Sequence, residues 1–218
     1  MSRHRLIAAS VATVTALALV AVLALGRLPA GTQLPVHWDA AGEADRFADA
    51  GHALFLPVAL AAFTSLLCAV LPRLEPLQDR LSGSEPLLHA SWAGLLALSA
   101  LVEAVVAGPA FGLDLGAELV LVGAGLLLMV IGNALPKSRP GFFVGIRTPW
   151  TITDPDNWIA THRFASWFFI AAGAVTAAAG LAPIEPETRA ALVVAAVLNA
   201  AVTPILYSYL RWRRAAKR

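Results

Sequence analysis

The sequence has little charge and almost no cysteine. Charged residues make up 14% of its 218 residues and hydrophobic residues 58%, whereas soluble domains carry roughly 25% charged residues. A water-soluble core of this size cannot hold that many apolar side chains, so the composition predicts a polytopic membrane protein. The single cysteine, Cys68, excludes an internal disulfide and any cysteine-based metal cluster.

Six apolar runs are long enough to cross a hydrocarbon core of about 30 Å, which takes roughly 20 helical residues. They predict an all-α fold, a polytopic membrane helix bundle with six transmembrane helices. The predicted spans are Leu6–Leu25, His52–Leu71, Leu87–Ala107, Gly116–Leu135, Phe164–Ala182 and Ala190–Leu210. A signal peptide has a shorter apolar region of about 7–15 residues, so we interpret the first run as an uncleaved anchor.

Basic residues are unevenly distributed between the two sides of these spans. If the N-terminus is inside, all but three of the 16 Lys and Arg residues lie on the inner side, and only Arg27, Arg46 and Arg189 lie outside. Short loops rich in Lys and Arg stay in the cytoplasm. The distribution therefore predicts an N-in/C-in topology, with the C-terminal RWRRAAKR at the inner leaflet.

The first outer loop, Arg27–Gly51, combines His37, Trp38 and Asp39 with further acids. The acids that follow are Glu43, Asp45 and Asp49. Histidine with several carboxylates could bind a divalent ion. The spacing lacks the helical repeat of metal-binding motifs, however. We therefore favour a solvated turn, extended around His37, with Trp38 at the level of the lipid headgroups.

Glu103 is an ionisable residue inside a predicted span, about four-fifths along it toward the outer face. A charge in the bilayer costs a few kcal/mol on insertion scales, which makes such a residue a functional candidate. The alternative is that Glu103 reaches the outer interface, because Gly108 and Pro109 follow within about a turn. A proton-coupled transporter would normally carry more than one such group.

Small residues in the fourth and fifth spans recur on one helix face. They are Gly125 and Gly132 in the fourth span, and Gly173, Ala177 and Gly180 in the fifth. Small side chains allow helix backbones to approach closely in a membrane. We interpret them as packing contacts between helices, not as ligand contacts.

The long inner loop between these two spans runs from Ile131 to Arg163. A loop of this length usually carries function. Thr153 or Asp154, followed by Pro155, predicts a helix start, and this helix should run through Trp158 and His162 into the fifth span. Prolines at 140 and 149 predict a non-helical flap over Phe142–Ile152, with its aromatic residues at the membrane surface.

Three motifs in this loop resemble the signature of the SdpI family of bacterial membrane proteins. They are GN-x-LPK at Gly132–Lys137, GIRTPWT at Gly145–Thr151 and W-x-x-THR at Trp158–Arg163. The outer-loop run LPVHWDAAGEADRF resembles the DUF1648 domain. The resemblance implies a DUF1648-like region at 1–72, with two spans and the outer loop. It implies an SdpI-like region at 87–210, with four spans and the inner loop 135–163.

The resemblance also implies a function. Members of the family look like immunity factors that protect a bacterium from a secreted peptide toxin, and some are linked with holding a cytoplasmic repressor at the membrane. The expected location is therefore the bacterial plasma membrane, as a multi-pass protein. The residues expected to face a toxin are His37, Trp38, Asp39, Gly42 and Asp45. Those expected to face an inner partner are Asn133, Pro136, Lys137, Arg139, Gly145, Arg147, Thr148, Pro149, Trp150, Trp158, Thr161, His162 and Arg163.

Two other functions were weighed against immunity. Three plus three helices of opposite orientation are typical of inverted-repeat proteins, which makes a small membrane transporter the alternative. An enzyme is the weakest candidate, because the sequence has no HExxH, GxSxG or Gly-rich phosphate loop, and His37 and His162 fall on opposite faces of the membrane. We therefore predict no catalytic residues, no metal, no cofactor and no direct binding of nucleic acid.

Overall fold

The fold is a bundle of apolar helices with one β-hairpin. The computed structural model describes residues 2–74, 83–141 and 143–215. Its long helices are α1 (Arg3–Leu25), α2 (Ala50–Leu74), α3 (Glu85–Ala107), α4 (Glu118–Ala134), α6 (Pro155–Leu181) and α7 (Pro186–Ala215), and α5 (Pro149–Thr153) is a short one. Each of the six long helices is long and apolar enough to cross a membrane. The predicted all-α, six-span bundle is confirmed.

Some sequence predictions concern residues outside the described ranges. They are Phe142 of the flap and the inner-side cations Arg80, Lys217 and Arg218. The bundle has two ends that are named here by their loops. The hairpin end carries the loop between α1 and α2, and the motif end carries residues 135–163.

Helices α1, α2 and α3 form one packing group with the hairpin. Their buried residues make a continuous apolar cluster that runs from Leu6 near the motif end to Leu34 of the hairpin. A polar contact also joins this group inside the bundle, since the Trp92 indole N–H donates to the Ser10 hydroxyl over 2.9 Å. Helices α1 and α2 are therefore held against α3 by buried apolar side chains and a hydrogen bond, in addition to the covalent chain.

Helix α4 connects this group to α6 and α7. A Cβ atom on Gly125 would lie 2.5 Å from the Gly173 carbonyl oxygen, and one on Gly132 would lie 2.9 Å from the Ile170 side chain. No larger side chain fits at these points, so the α4 and α6 backbones touch where glycine permits it. The predicted close packing of these two helices is confirmed.

The loop predicted as a solvated turn is an antiparallel hairpin. Strand β1 (Gln33–Trp38) pairs with β2 (Ala44–Asp49). The Asp39 carboxylate accepts the backbone N–H groups of Ala41 and Glu43, and Gly42 takes a φ of 83°. A carboxylate that caps a turn and a glycine at positive φ together close the hairpin. The sequence analysis recognised the extended character of this loop but not its pairing.

Candidate functional site

The segment predicted as a non-helical flap contains a short helix, α5. Thr148 precedes it, and its hydroxyl accepts from the Thr151 N–H, while the Thr151 hydroxyl accepts the Thr148 N–H over 2.8 Å. This reciprocal arrangement is a capping box with Thr in place of the usual Glu or Gln, and Pro149 occupies the first helical position. The flap prediction is therefore wrong from Pro149 onward, because Pro149 starts a helix instead of breaking one.

The predicted helix start before the fifth span is confirmed. Asp154 caps α6, and its carboxylate accepts the N–H groups of Asp156 and Asn157. The helix continues without a break through Trp158 and His162 to Leu181. Both rings therefore sit on the membrane-spanning helix itself and not on the loop.

His162 joins the loop to α6 through both of its ring nitrogens. The Ile146 N–H points at Nε2 over 2.8 Å, and Nδ1 lies 2.8 Å from the Trp158 carbonyl oxygen. Because a backbone N–H only donates, Nε2 accepts, and the ring proton is on Nδ1. A charged imidazolium would place two N–H groups against each other at Ile146. The geometry thus holds His162 neutral, with its ring stacked on Trp158 at 4.3 Å.

Gly145 is required where the loop crosses these two rings. Its φ is 126°, and a Cβ atom there would lie 2.5 Å from the Trp158 ring and 2.6 Å from His162 Nε2. Both the backbone conformation and the lack of space exclude a side chain. Contact with Trp158 and His162 of the W-x-x-THR motif therefore determines the backbone conformation of Gly145 and Ile146 in the GIRTPWT motif.

Helix α7 binds the same network through Ser208. The Trp150 indole donates to the Ser208 hydroxyl, and the Asn157 amide donates to the Ser208 carbonyl oxygen over 3.0 Å. The Thr161 hydroxyl in turn donates to Asn157 over 3.0 Å. Asn157, Thr161 and Ser208 are fully buried. The sequence analysis named neither Asn157 nor Ser208, since a serine 51 residues away gives no local signal.

Helix α3 is attached to the same loop by Ser84. The Arg139 N–H donates to the Ser84 hydroxyl over 3.1 Å, and this hydroxyl donates back to the Arg139 carbonyl oxygen over 2.8 Å. The Arg139 side chain remains exposed. The Arg139 backbone thus holds the loop to the start of α3, while the Arg139 side chain is exposed.

The predicted partner-facing residues divide into two sets. The exposed ones are Asn133, Lys137, Arg139, Arg147, Pro149 and Arg163, and the partly buried ones are Pro136, Gly145 and Trp150. Thr148, Trp158, Thr161 and His162 are buried. These four residues form the interior of the motif, and their expected contact with a partner stays a prediction. Four of the exposed residues are cations at the motif end, and they are together called the basic surface: Lys137, Arg139, Arg147 and Arg163.

At the hairpin end, His37 and Asp45 form an exposed pair. His37 Nδ1 lies 2.5 Å from the Asp45 carboxylate, and this hydrogen bond holds the pKa of Asp45 below its ordinary value. Asp39 is also exposed, Trp38 is half-buried, and Gly42 is buried against Leu121. Among the described residues, no three His, Cys, Asp or Glu side chains are grouped closely enough to hold a metal ion.

Arg189 connects the hairpin to the other half of the bundle. The sequence alone predicted only that it is a cation on the outer side. Its guanidinium donates to the Ala41 carbonyl oxygen in the hairpin turn over 3.0 Å. It also donates to Ala179 and Ala182 at the end of α6. One side chain at the start of α7 thereby fixes two other segments. Arg189 is one of three cations on the predicted outer side, and this scarcity was the sequence signal that could have indicated a structural role.

Glu103 does not reach the surface. Its side chain is 1% exposed, and within the described part of the chain neither carboxylate oxygen has a hydrogen-bond partner. Glu103 is therefore enclosed by the protein, and its depth relative to the outer interface stays a prediction. An unpaired buried carboxylate is costly, so the group has to be neutral or to meet a cation.

Two family models match the chain. Residues 137–208 match the SdpI/YfhL protein family, and residues 12–61 match DUF1648, a domain of unknown function. The part similar to SdpI/YfhL thus follows the part similar to DUF1648 along the chain. The SdpI/YfhL match contains α5, α6 and the Ser208 contact, and the DUF1648 match contains the hairpin. The region limits 1–72 and 87–210 stay predictions.

A curated relative supports the same assignment. The chain is 29% identical over 104 residues to the Immunity protein SdpI of Bacillus subtilis (strain 168). The similarity covers 47% of this chain and 49% of that protein, so the chain spans about half the length of the curated relative it matches. No solved structure matches. The resemblance predicted from the motifs is confirmed, and the six long apolar helices support a multi-pass membrane protein.

Proposed function

We propose that this SdpI-type protein protects a bacterium against a secreted peptide toxin from its place in the plasma membrane. The observation that carries the proposal is the similarity to a protein named as an immunity protein. In this proposal the hairpin end faces outward, the motif end faces the cytoplasm, and the protein is not an enzyme.

The hairpin supplies the toxin-facing surface in this proposal. It presents the His37–Asp45 pair together with Phe47, whose side chain is 58% exposed. A large exposed apolar side chain beside a polar pair suits a peptide that is both apolar and charged. Pairing of β1 with β2 and the Arg189 contact fix this surface before a ligand arrives, which reduces the ordering cost of binding.

The basic surface at the motif end supplies the second half of the proposal. Lys137, Arg139, Arg147 and Arg163 are exposed, while the buried His162 and Ser208 contacts fix the backbone beneath them. An exposed cationic surface favours an acidic patch on a soluble protein and steers its approach. We assign this surface to a cytoplasmic repressor that is held at the membrane when toxin is present.

Survival of a toxin-sensitive strain tests the proposal. Cells that lack their own immunity gene are grown in toxin-containing culture fluid with or without this protein, and its amount in the membrane is measured in parallel. We expect protection by the wild type. We also expect Arg147→Ala to keep protection but to lower the amount of repressor in the membrane fraction. Normal membrane levels with no protection would contradict the immunity proposal.

Glu103 is the observation that favours the alternative, a small transporter. A buried carboxyl near the hairpin end of α3, without a hydrogen-bond partner among the described residues, is suited to bind and release a proton in a coupled cycle. Vesicles that contain the wild type would then move protons in the presence of substrate, and Glu103→Gln would abolish this flux. Protection that is unchanged in Glu103→Gln would separate immunity from transport.

A further inference from the structure

A cleft at the motif end lies between the start of α6 and the end of α7. Its volume is about 520 Å³. The side chains that line it include Asp154, Asp156, Tyr207, Leu210, Arg211 and Arg214. Two acids from one helix therefore face the same space as two arginines from another. None of these residues belongs to the three family motifs. Asp154 has a second role as the cap of α6.

The opposite charges in this cleft are not directly paired with one another in the described part of the chain. Within the described ranges, no ion pair joins Asp154 or Asp156 to Arg211 or Arg214. Asp154 uses one carboxylate oxygen, Oδ1, for both of its capping bonds, which leaves Oδ2 for another donor. Asp156 and both arginines are exposed. The cleft is thus arranged for a ligand that carries a positive and a negative group together.

The aromatic side chains around this cleft indicate that it lies at the level of the lipid headgroups. Trp150 packs edge-on against Tyr209 at 5.2 Å and stacks with Trp212 at 6.0 Å, while Phe164 stacks on Tyr207 at 4.2 Å. Trp and Tyr concentrate at the membrane–water interface. A ligand in the cleft therefore meets apolar surface at Tyr207 and Leu210 and charge at Arg211 and Arg214, as a lipid does.

We propose that this cleft binds the headgroup of phosphatidylethanolamine. The guanidinium groups of Arg211 and Arg214 would hold the phosphate, and Asp154 and Asp156 would accept hydrogen bonds from the primary ammonium. Phosphatidylcholine presents the same two charges, but its quaternary ammonium has no N–H to donate. Phosphatidylglycerol has no positive group for the two acids. The site thus selects a zwitterionic lipid with a primary amine.

Lipid retention tests this proposal. The full-length protein is reconstituted in vesicles with equal amounts of phosphatidylethanolamine, phosphatidylcholine and phosphatidylglycerol, extracted gently, and its retained lipids are counted by native mass spectrometry. We expect enrichment of phosphatidylethanolamine. Asp156→Asn should lower its ratio to phosphatidylcholine by roughly two- to five-fold, the size of effect that an exposed ion pair gives. Glu187→Gln is the matched control, because Glu187 also lies in the first turn of a helix but outside the cleft.

The arginines are tested in the same way. Arg214→Gln should lower the retention of phosphatidylethanolamine and phosphatidylcholine together, because both lose a phosphate contact, whereas Arg213→Gln should leave retention unchanged. Equal retention of the three lipids by the wild type would overturn the proposal. So would equal effects of the Arg213 and Arg214 variants, which would indicate non-specific attraction to the basic tail. Displacement of the lipid by soluble phosphoethanolamine at similar concentration would also overturn the assignment to a lipid.

Discussion

Gly145 shows at the scale of one residue why a motif position can be fixed by its neighbours. Its backbone has positive φ, and the space where a Cβ atom would stand is filled by Trp158 and His162. Gly31 also has a positive φ, of 81°, but nothing lies within 4 Å of its Cβ position. Comparison of the two positions therefore distinguishes the cost of positive φ from the cost of steric overlap.

We predict that Gly145→Ala destabilises the protein more than Gly31→Ala. Positive φ lowers the free energy of unfolding of either alanine variant by about 1–3 kcal/mol. Steric overlap at Gly145 lowers it by about 1–3 kcal/mol more. Thermal unfolding in detergent measures the difference. Equal melting temperatures of the two variants would show that the loop does not rest on the Trp158 and His162 rings.

The His37–Asp45 pair gives a pH dependence at the same scale. The pKa of Asp45 is lowered by its hydrogen bond with His37, so the folded protein favours the ionised carboxylate. The stabilisation is complete above the ordinary carboxyl pKa and is lost as the pH falls through the lowered value. We predict that His37→Ala raises the pKa of Asp45 toward normal, as followed by NMR titration of its carboxyl carbon. An unchanged titration would mean that the pair does not form in solution.

At the scale of elements, the sequence predicted what local patterns determine. The six spans, the Asp154 cap and the close approach at Gly125 and Gly173 each follow from residues near one another on the chain or from a repeated spacing. The hairpin and α5 were missed, since β-pairing depends on register and the capping box used Thr where Glu is usual.

The contacts that assemble the candidate sites were beyond this kind of prediction. Ser84, Ser208 and Arg189 each bond to backbone or side chains more than 50 residues away. No local pattern near Ser84 or Ser208 indicates such a partner, and for Arg189 the signal was limited to its being one of the three predicted outer cations. The motifs identified the correct region of the molecule, but burial decided which of their residues form its interior and which form its surface.

We predict that Arg189→Ala loosens the hairpin without unfolding the bundle. The variant leaves the Ala41 carbonyl and the last carbonyls of α6 without their cation, whereas Arg46→Ala removes an exposed charge from the hairpin itself. Hydrogen exchange of residues 33–49 should become faster in Arg189→Ala and stay unchanged in Arg46→Ala. Exchange that is equally slow in both variants would show that strand pairing alone holds the hairpin.

At the scale of the whole molecule, the distribution of basic residues predicts an orientation with both termini inside. We predict that a cysteine at position 39, in a Cys68→Ala background, reacts with an impermeant thiol reagent applied to intact cells. A cysteine at position 147 should react only after the membrane is opened. The reverse pattern would place the hairpin in the cytoplasm and would contradict the proposed toxin-facing surface.

We propose that the hairpin and the basic surface are coupled through Arg189, α6 and the His162 contact with the loop. A toxin can change the inner surface only if it binds one arrangement of the helices better than another. The direct measurement is the rate of thiol labelling of Arg147→Cys in a Cys68→Ala background, in inside-out vesicles with toxin-containing culture fluid inside. We predict that toxin changes this rate when Arg189 is present but not when Arg189→Ala is added. A rate that stays constant with Arg189 present, at a saturating dose of toxin, would contradict this coupling.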